Sequence, residues 1–356
     1  MSTRSRIEGA IAQIPDLNRE AMELVAAHLD QLTKPPGSLG KLEEIAIRLA
    51  GMTGMERPEF PDKRIIIMAA DHGIAAEGVS AFPQEVTRQM VVNFLHGGAA
   101  INVISRQVGA QVICVDVGVA AELSLPGLVQ KKIAFGTKNF LREQAMSEEE
   151  AVQAVWAGIE VAHWAADSGA NLLATGEMGI GNTTASSALL AALTGLPVKE
   201  VIGAGTGVSQ GRLRHKEHVI ETALRLHQPD PQDPFDVLRK VGGLEIAALA
   251  GLIIGAAGRR IPVVVDGFIS TVAALIAVRM APKAKPFLLA SHLSQEPGHA
   301  VALRHLGLDP IFQMEMRLGE GTGAALLFPV IDTVMHILRE MATFASAGVA
   351  EKRNNE

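Results

Sequence analysis

The stretch Ile65-Ile66-Ile67-Met68-Ala69-Ala70-Asp71-His72-Gly73 is a short aliphatic run that stops on a carboxylate, an imidazole and a glycine. Five more runs have the same form. Residues 112–115 stop at Asp116-Val117-Gly118, residues 172–174 at Thr175-Gly176-Glu177, and residues 201–202 at Gly203-Ala204-Gly205. Residues 262–265 stop at Asp266-Gly267-Phe268, and residues 287–290 at Ser291-His292. Near-continuous aliphatic strands suit a parallel sheet buried on both faces. In such sheets ligands bind beyond the carboxyl ends of the strands, where loops converge. The chain therefore sets its carboxylates, hydroxyls and glycines where a small-molecule site is built.

Between these runs the apolar spacing turns helical, the βαβ signature of an α/β protein. Helices are expected over 84–95, 147–168, 183–193, 212–227 and 243–257. Ser147 and Glu150 have capping-box spacing, and Glu148 and Glu149 suit the positive end of the helix dipole. Outside the α/β body, residues 1–31 read as helix interrupted at Pro15, and residues 324–346 as an amphipathic helix. Packed together, these ends make a small helical domain: 1–31 and 324–356 flanking a catalytic domain over 32–323. The turn Thr33-Lys34-Pro35-Pro36-Gly37-Ser38-Leu39-Gly40 excludes regular structure, with Ser38 as the expected cap of a helix over 39–51.

Composition narrows the function. The chain has 356 residues, 48% of them hydrophobic, with eleven Phe, two Trp and no Tyr. A net charge of −6 argues against a general nucleic-acid binder, and few aromatic stacking platforms exist. A phosphate site made of backbone N–H groups and one Lys leaves net charge untouched, so phosphorylated small molecules stay open. The single Cys114 lies in an apolar run and reads as buried and inert. Met1–Ile14 lacks an apolar signal core. The most apolar stretch, 246–258, falls short of the roughly 20 residues a membrane span needs. The expectation is a cytoplasmic protein without a span. Its Ala- and Gly-rich helices and mean hydropathy of +0.24 point to more apolar surface than one monomer exposes.

Three motifs carry chemistry. In Arg317-Leu318-Gly319-Glu320-Gly321-Thr322-Gly323 one carboxylate stands between glycines at the start of a helix. The helix dipole favours its anion, and apolar Met316 and Leu318 oppose it by desolvation. That balance suits a general base, although a solvated turn has the same spelling. Thr175-Gly176-Glu177-Met178-Gly179-Ile180-Gly181-Asn182-Thr183-Thr184 is a strand, a glycine loop and a helix start, which cradles an anion. Gly203-Ala204-Gly205-Thr206-Gly207, with Arg212, Arg214 and Lys216 downstream, reads as a second phosphate loop provided Lys216 folds back to it. His72 and His292 read as hydrogen-bonded structural histidines. No metal-ligand spacing occurs, and a hydrolase triad of Ser291, His72 and Asp266 lacks the nucleophile elbow.

Taken together, the motifs resemble one family, nicotinate-nucleotide–dimethylbenzimidazole phosphoribosyltransferase. Lys34-Pro35-Pro36-Gly37-Ser38-Leu39-Gly40, Ala70-Asp71-His72-Gly73, residues 176–184, Lys240-Val241-Gly242-Gly243, Asp266-Gly267-Phe268, Ser291-His292 and residues 316–323 run in family order. The resemblance implies a modified, Rossmann-like doubly wound sheet with a small helical domain from the chain termini, assembled as a homodimer. It implies transfer of the 5-phosphoribosyl group of nicotinate mononucleotide to a benzimidazole nitrogen in cobamide biosynthesis, with anomeric inversion and no cofactor or metal. By family position Glu320 is the base, with Glu177 the alternative. Gly176, Gly205 and Lys216 hold the phosphate, and Asp266, Ser291 and Ser294 line the same cleft on the phosphate and ribose side.

One departure from the family stands out. Its base wall includes polar side chains, whereas the aligned positions here are Phe82, Met90 and Met178, with Leu318 beside them. A more adaptable pocket follows, and a relative preferring phenolic bases stays open, as does a heterodimer with a paralogue. Two rivals remain. A nucleotide-binding oxidoreductase needs Gly-x-Gly-x-x-Gly after the first strand, where Asp71-His72-Gly73 stands. A non-catalytic binding subunit is at odds with an intact Glu320.

Overall fold

The computed structural model describes residues 2–203 and 210–350. One parallel sheet is built from β1 (Lys63–Ala70), β2 (Ala110–Gly118), β3 (Val129–Gln130), β4 (Leu172–Met178), β5 (Val263–Val265) and β6 (Leu288–Ala290). Its order is β3-β2-β1-β4-β5-β6, that of a doubly wound dinucleotide-type fold. The chain builds outward from β1 to one edge, then crosses back and builds β4 to β6 on the other side. The switch point therefore lies between β1 and β4, paired in parallel from Lys63↔Leu172 to Ala69↔Met178. Residues Ile65 to Ala70 are fully buried, which explains their unbroken aliphatic spelling.

Helices cover both faces. Leu244–Gly258 is buried along nearly its whole length and packs on Glu148–Asp167 and Phe268–Met280. Its glycines make that packing possible: a Cβ at Gly251 would lie 1.9 Å from the Val155 carbonyl oxygen, and one at Gly158 1.8 Å from that of Ala248. The expected surplus apolar surface is therefore absent from this helix, whose small residues serve close internal packing. Glu148–Asp167 starts as the sequence predicts, with Ser147 Oγ accepting from Glu150 N and Glu150 Oε2 from Ser147 N.

The chain termini meet. Arg19–Gln31 and Thr322–Glu340 both pack on Lys41–Thr53, and Leu32 bridges Thr343. Thr3–Ala12 lies instead against Glu148–Asp167 and Leu244–Gly258. Thr322–Glu340 has the length and hydropathy of a membrane span. It buries Leu327, Phe328, Ile331, Val334 and Leu338 inside the protein and carries Asp332, His336 and Arg339 elsewhere, so it is an amphipathic core helix.

Three local expectations are corrected. Residues 201–202 are not a strand: Val198–Val201 is a helical turn after Pro197, whose φ of −56° already suits a helix start. Two apolar residues are too few to choose between strand and helix. The sixth strand is Val129–Gln130, a two-residue edge with no aliphatic run to mark it. Ser38 does not cap Lys41–Thr53; Gly40 stands at the cap position, and the turn is held by Glu43, which accepts from Leu39 N at 2.9 Å and pairs with buried Lys34 at 2.9 Å.

Candidate active site

The carboxyl ends of β4, β5 and β6 and the loop 316–321 enclose a cavity of about 330 Å³. Gly319, Glu320 and Gly321 have φ of +90°, +63° and +87°. Two of these suit glycine, but Glu320 is strained, and such a residue persists only where its surroundings hold it. Asp266 provides the hold: Oδ2 accepts from Gly321 N at 3.1 Å and Oδ1 from Ala324 N at 3.0 Å. Gly176 makes room, since a Cβ there would lie 2.7 Å from the Glu320 carbonyl oxygen. The Glu320 carboxylate accepts from Ile101 N at 3.4 Å, at the head of Ala100–Gln107. Burial raises its pKa, Ile101 opposes that, and nearby Asp266 adds to it.

Glu177, one residue from the end of β4, stands on the same wall. Asn182 Nδ2 donates to its Oε2, and a Cβ at Gly319 would lie 2.3 Å from its Oε1. Burial, then the facing carboxylates of Glu245, Asp266 and Glu320, push its pKa up to about 8. At neutral pH Glu177 is therefore mainly the neutral acid.

Lys216 does fold back. Its buried ammonium donates to Thr183 Oγ1 and to the Gly203 carbonyl oxygen, each at 3.2 Å. It thereby joins the loop after β4 to the segment that leads into 204–209. Burial pulls its pKa down to about 8, opposed by Glu296. Gly205 lies outside the described residues.

The other expected residues divide. Ser294 lines the cavity, and its hydroxyl is 2.9 Å from His299 Nδ1. Ser291 does not: its hydroxyl donates to the Val265 carbonyl oxygen at 2.8 Å and lies 3.0 Å from His292 Nδ1, so it ties β6 to β5. Gly176 likewise lies beneath the cavity wall, under the Glu320 backbone. Asp266 reaches the cavity while its carboxylate oxygens hold the Glu320 turn. The hydrolase triad does not assemble, because His72 Nε2 pairs with Glu245 Oε1 at 2.7 Å. The oxidoreductase reading has no phosphate loop after β1, where Gly73–Glu77 forms a 3-10 turn.

Phe82, Met90, Met178 and Leu318 all line the cavity, together with Val86, Ile180 and Phe268, which the sequence did not single out. Phe82 and Leu318 are 51% and 57% exposed at its mouth. Sequence reasoning also passed over Asn182 as a partner of Glu177, and Glu245 and Glu296 altogether. The signal for Glu245 was a lone carboxylate heading an otherwise apolar helix.

Comparison with known proteins gives the family. A family model described as phosphoribosyltransferase matches residues 14–349. The nicotinate-nucleotide–dimethylbenzimidazole phosphoribosyltransferase of Chloroflexus aggregans is 57% identical over 350 residues, covering 98% of this chain and 99% of that protein. The protein so named from Halalkalibacterium halodurans is 53% identical over 345 residues, covering 97% of each. The crystal structure of the similarly named protein from Thermus thermophilus superposes with a TM-score of 0.89 at 47% identity, covering 94% of this chain and all of that one.

Proposed function

The chain belongs to the nicotinate-nucleotide–dimethylbenzimidazole phosphoribosyltransferase family, and on that premise we propose that Glu320 is the general base of its transfer reaction. The enzyme is a phosphoribosyltransferase of cobamide biosynthesis that uses nicotinate mononucleotide and a lower-ligand base. The donor's ring nitrogen is already cationic, so nicotinate departs with the electrons of the glycosidic bond and needs no acid. The azole nitrogen attacks the anomeric carbon from the opposite face and inverts it from β to α. The proton on the ring's other nitrogen passes to Glu320, so the alkylated azole ends neutral. Lys216 and the loop 179–183 receive the phosphate, and Phe82, Met90, Met178 and Leu318 receive the base.

The observation that carries this reading is Glu320 itself. A buried carboxylate is held at φ +63° with its pKa raised, facing a wall of apolar side chains. Incubating the protein with nicotinate mononucleotide and 5,6-dimethylbenzimidazole should give a product with the mass of α-ribazole 5′-phosphate. Glu320→Gln should abolish most of that turnover. The apolar side chains of Phe82, Met90, Met178 and Leu318 also favour use of phenolic bases. Phe82 and Leu318, exposed at the cavity mouth, support a homodimer whose interface covers them. A monomeric mass in light scattering at micromolar concentration would contradict the dimer. The cytoplasm is the proposed location, in keeping with the one free Cys114, buried in β2 with its pKa pushed up to about 12 by that burial.

A further inference from the structure

A buried pair beneath the cavity takes no direct part in this chemistry. His72 follows β1, Glu245 heads Leu244–Gly258, and both side chains are wholly buried, with His72 Nε2 2.7 Å from Glu245 Oε1. His72 Nδ1 and Glu245 Oε2 have no hydrogen-bond partner among the described residues. A buried pair of this kind is weak evidence for stability, and a half-satisfied polar network is costly. Its surroundings offer another reason for it. Three glycines close on the His72 side chain: a Cβ at Gly179 would lie 3.2 Å from His72 Nε2, one at Gly181 3.2 Å from His72 Cβ, and one at Gly243 2.4 Å from His72 Cε1. Gly179 and Gly181 belong to the loop after β4. That loop then delivers Asn182 to Glu177 and Thr183 to Lys216.

We propose that His72 and Glu245 are a positioning pair for the transfer reaction, seating the loop 179–183 so that Asn182 meets Glu177. Neither residue lines the cavity, so the pair acts through the loop and through the charge of Glu245. Glu177 is faced by that charge from below, by Asp266 from the end of β5 and by Glu320 from the loop before Thr322–Glu340. His72 and Asp71 stand at the end of β1, near Glu245, and His292 beyond Asp266. The inference rests on the proposed reaction only for its kinetic test.

That test uses the full-length protein with nicotinate mononucleotide and 5,6-dimethylbenzimidazole. Glu245→Gln keeps shape and an acceptor for His72 but removes the charge. Partners that orient metal ligands are typically worth about 10–100-fold, and by analogy kcat should fall by at least about tenfold. Removing the charge should also lower the Glu177 pKa, so the high-pH limb of the kcat profile set by loss of the Glu177 proton should move to lower pH, whereas Glu245→Asp should leave that limb in place. In the double variant with Asn182→Ala, the losses should not multiply. An unmoved limb, or losses that multiply, would overturn the proposal. The titration of the Glu177 carboxyl carbon in free, 13C-labelled protein reads the same displacement without substrate. If the unaltered enzyme shows no turnover, the proposed reaction fails, and this titration still decides the pair: a displaced midpoint in Glu245→Gln supports it and an unchanged one overturns it. Should Glu245→Gln not fold, His72→Gln takes its place in the double-variant comparison.

Discussion

Asp266 places Glu320 through the backbone: its two carboxylate oxygens accept the N–H groups of Gly321 and Ala324 at 3.1 and 3.0 Å, just past the residue they position. One side chain thus caps Thr322–Glu340 and pins the left-handed turn. Asp266→Ala should misplace Glu320, and misplacement by an ångström can cost about 10²-fold in rate. Loss of the cap should lower stability by about 1 kcal/mol. Asp266→Asn, which keeps one acceptor, should fall between. Kinetics alongside thermal unfolding check this; full activity in the Ala variant would show that the turn holds itself.

Glu320→Gln should reduce kcat by about 10²–10⁴-fold, the usual contribution of a positioned base, with little change in nucleotide affinity. A phenol already ionised in solution should lose less than a benzimidazole. If benzimidazole turnover survives at neutral pH, Glu177 becomes the base.

Backbone strain at Glu320 predicts a trade between stability and activity. Asn tolerates the left-handed region better than Glu. Strain there is worth about 1–3 kcal/mol, so Glu320→Asn should be inactive yet more stable by about 1 kcal/mol on that scale. A lower melting temperature would contradict this.

Glu177 gives stability a pH slope. Its folded pKa, about 8, lies above the ordinary value of 4.5. The folded state therefore binds the proton more tightly than the unfolded chain. The resulting stability is complete below about 4.5 and is lost as pH rises through 8. Chemical denaturation of the unaltered protein should show a decline from pH 5 to pH 8, and Glu177→Gln should flatten it. Equal slopes would mean that Glu177 ionises freely.

Lys216, with its pKa drawn down to about 8, should hold the donor phosphate best while charged. The nucleotide KM should rise above that pH. Lys216→Met should raise KM below that pH and abolish the dependence. A KM unaffected by the substitution would remove Lys216 from the phosphate site.

The base wall predicts acceptor choice. Met90 lines the cavity on Glu85–Leu95. Met90→Gln should lower use of phenols relative to 5,6-dimethylbenzimidazole in a direct competition assay. An unchanged ratio would place the acceptor elsewhere.

What the sequence determined by itself was local. The aliphatic runs of β1, β2 and β4 announce buried parallel strands, because both faces of such a strand are covered and its middle positions favour aliphatic side chains. Ser147 and Glu150 announce a helix start, because a capping box involves only residues three apart. The motif order carried the family, and Phe82, Met90, Met178 and Leu318, expected as the base wall, line the cavity. Tertiary structure decided whatever depends on residues far apart in the chain. Val129–Gln130 is a strand only because β2 lies beside it. Ser291 turns from the cavity because Val265 and His292 take its hydroxyl. His72 and Glu245, 173 positions apart, meet only after β1 and Leu244–Gly258 have packed. No local pattern encodes such pairs, since burial and electrostatic partners are set by the packing of whole elements.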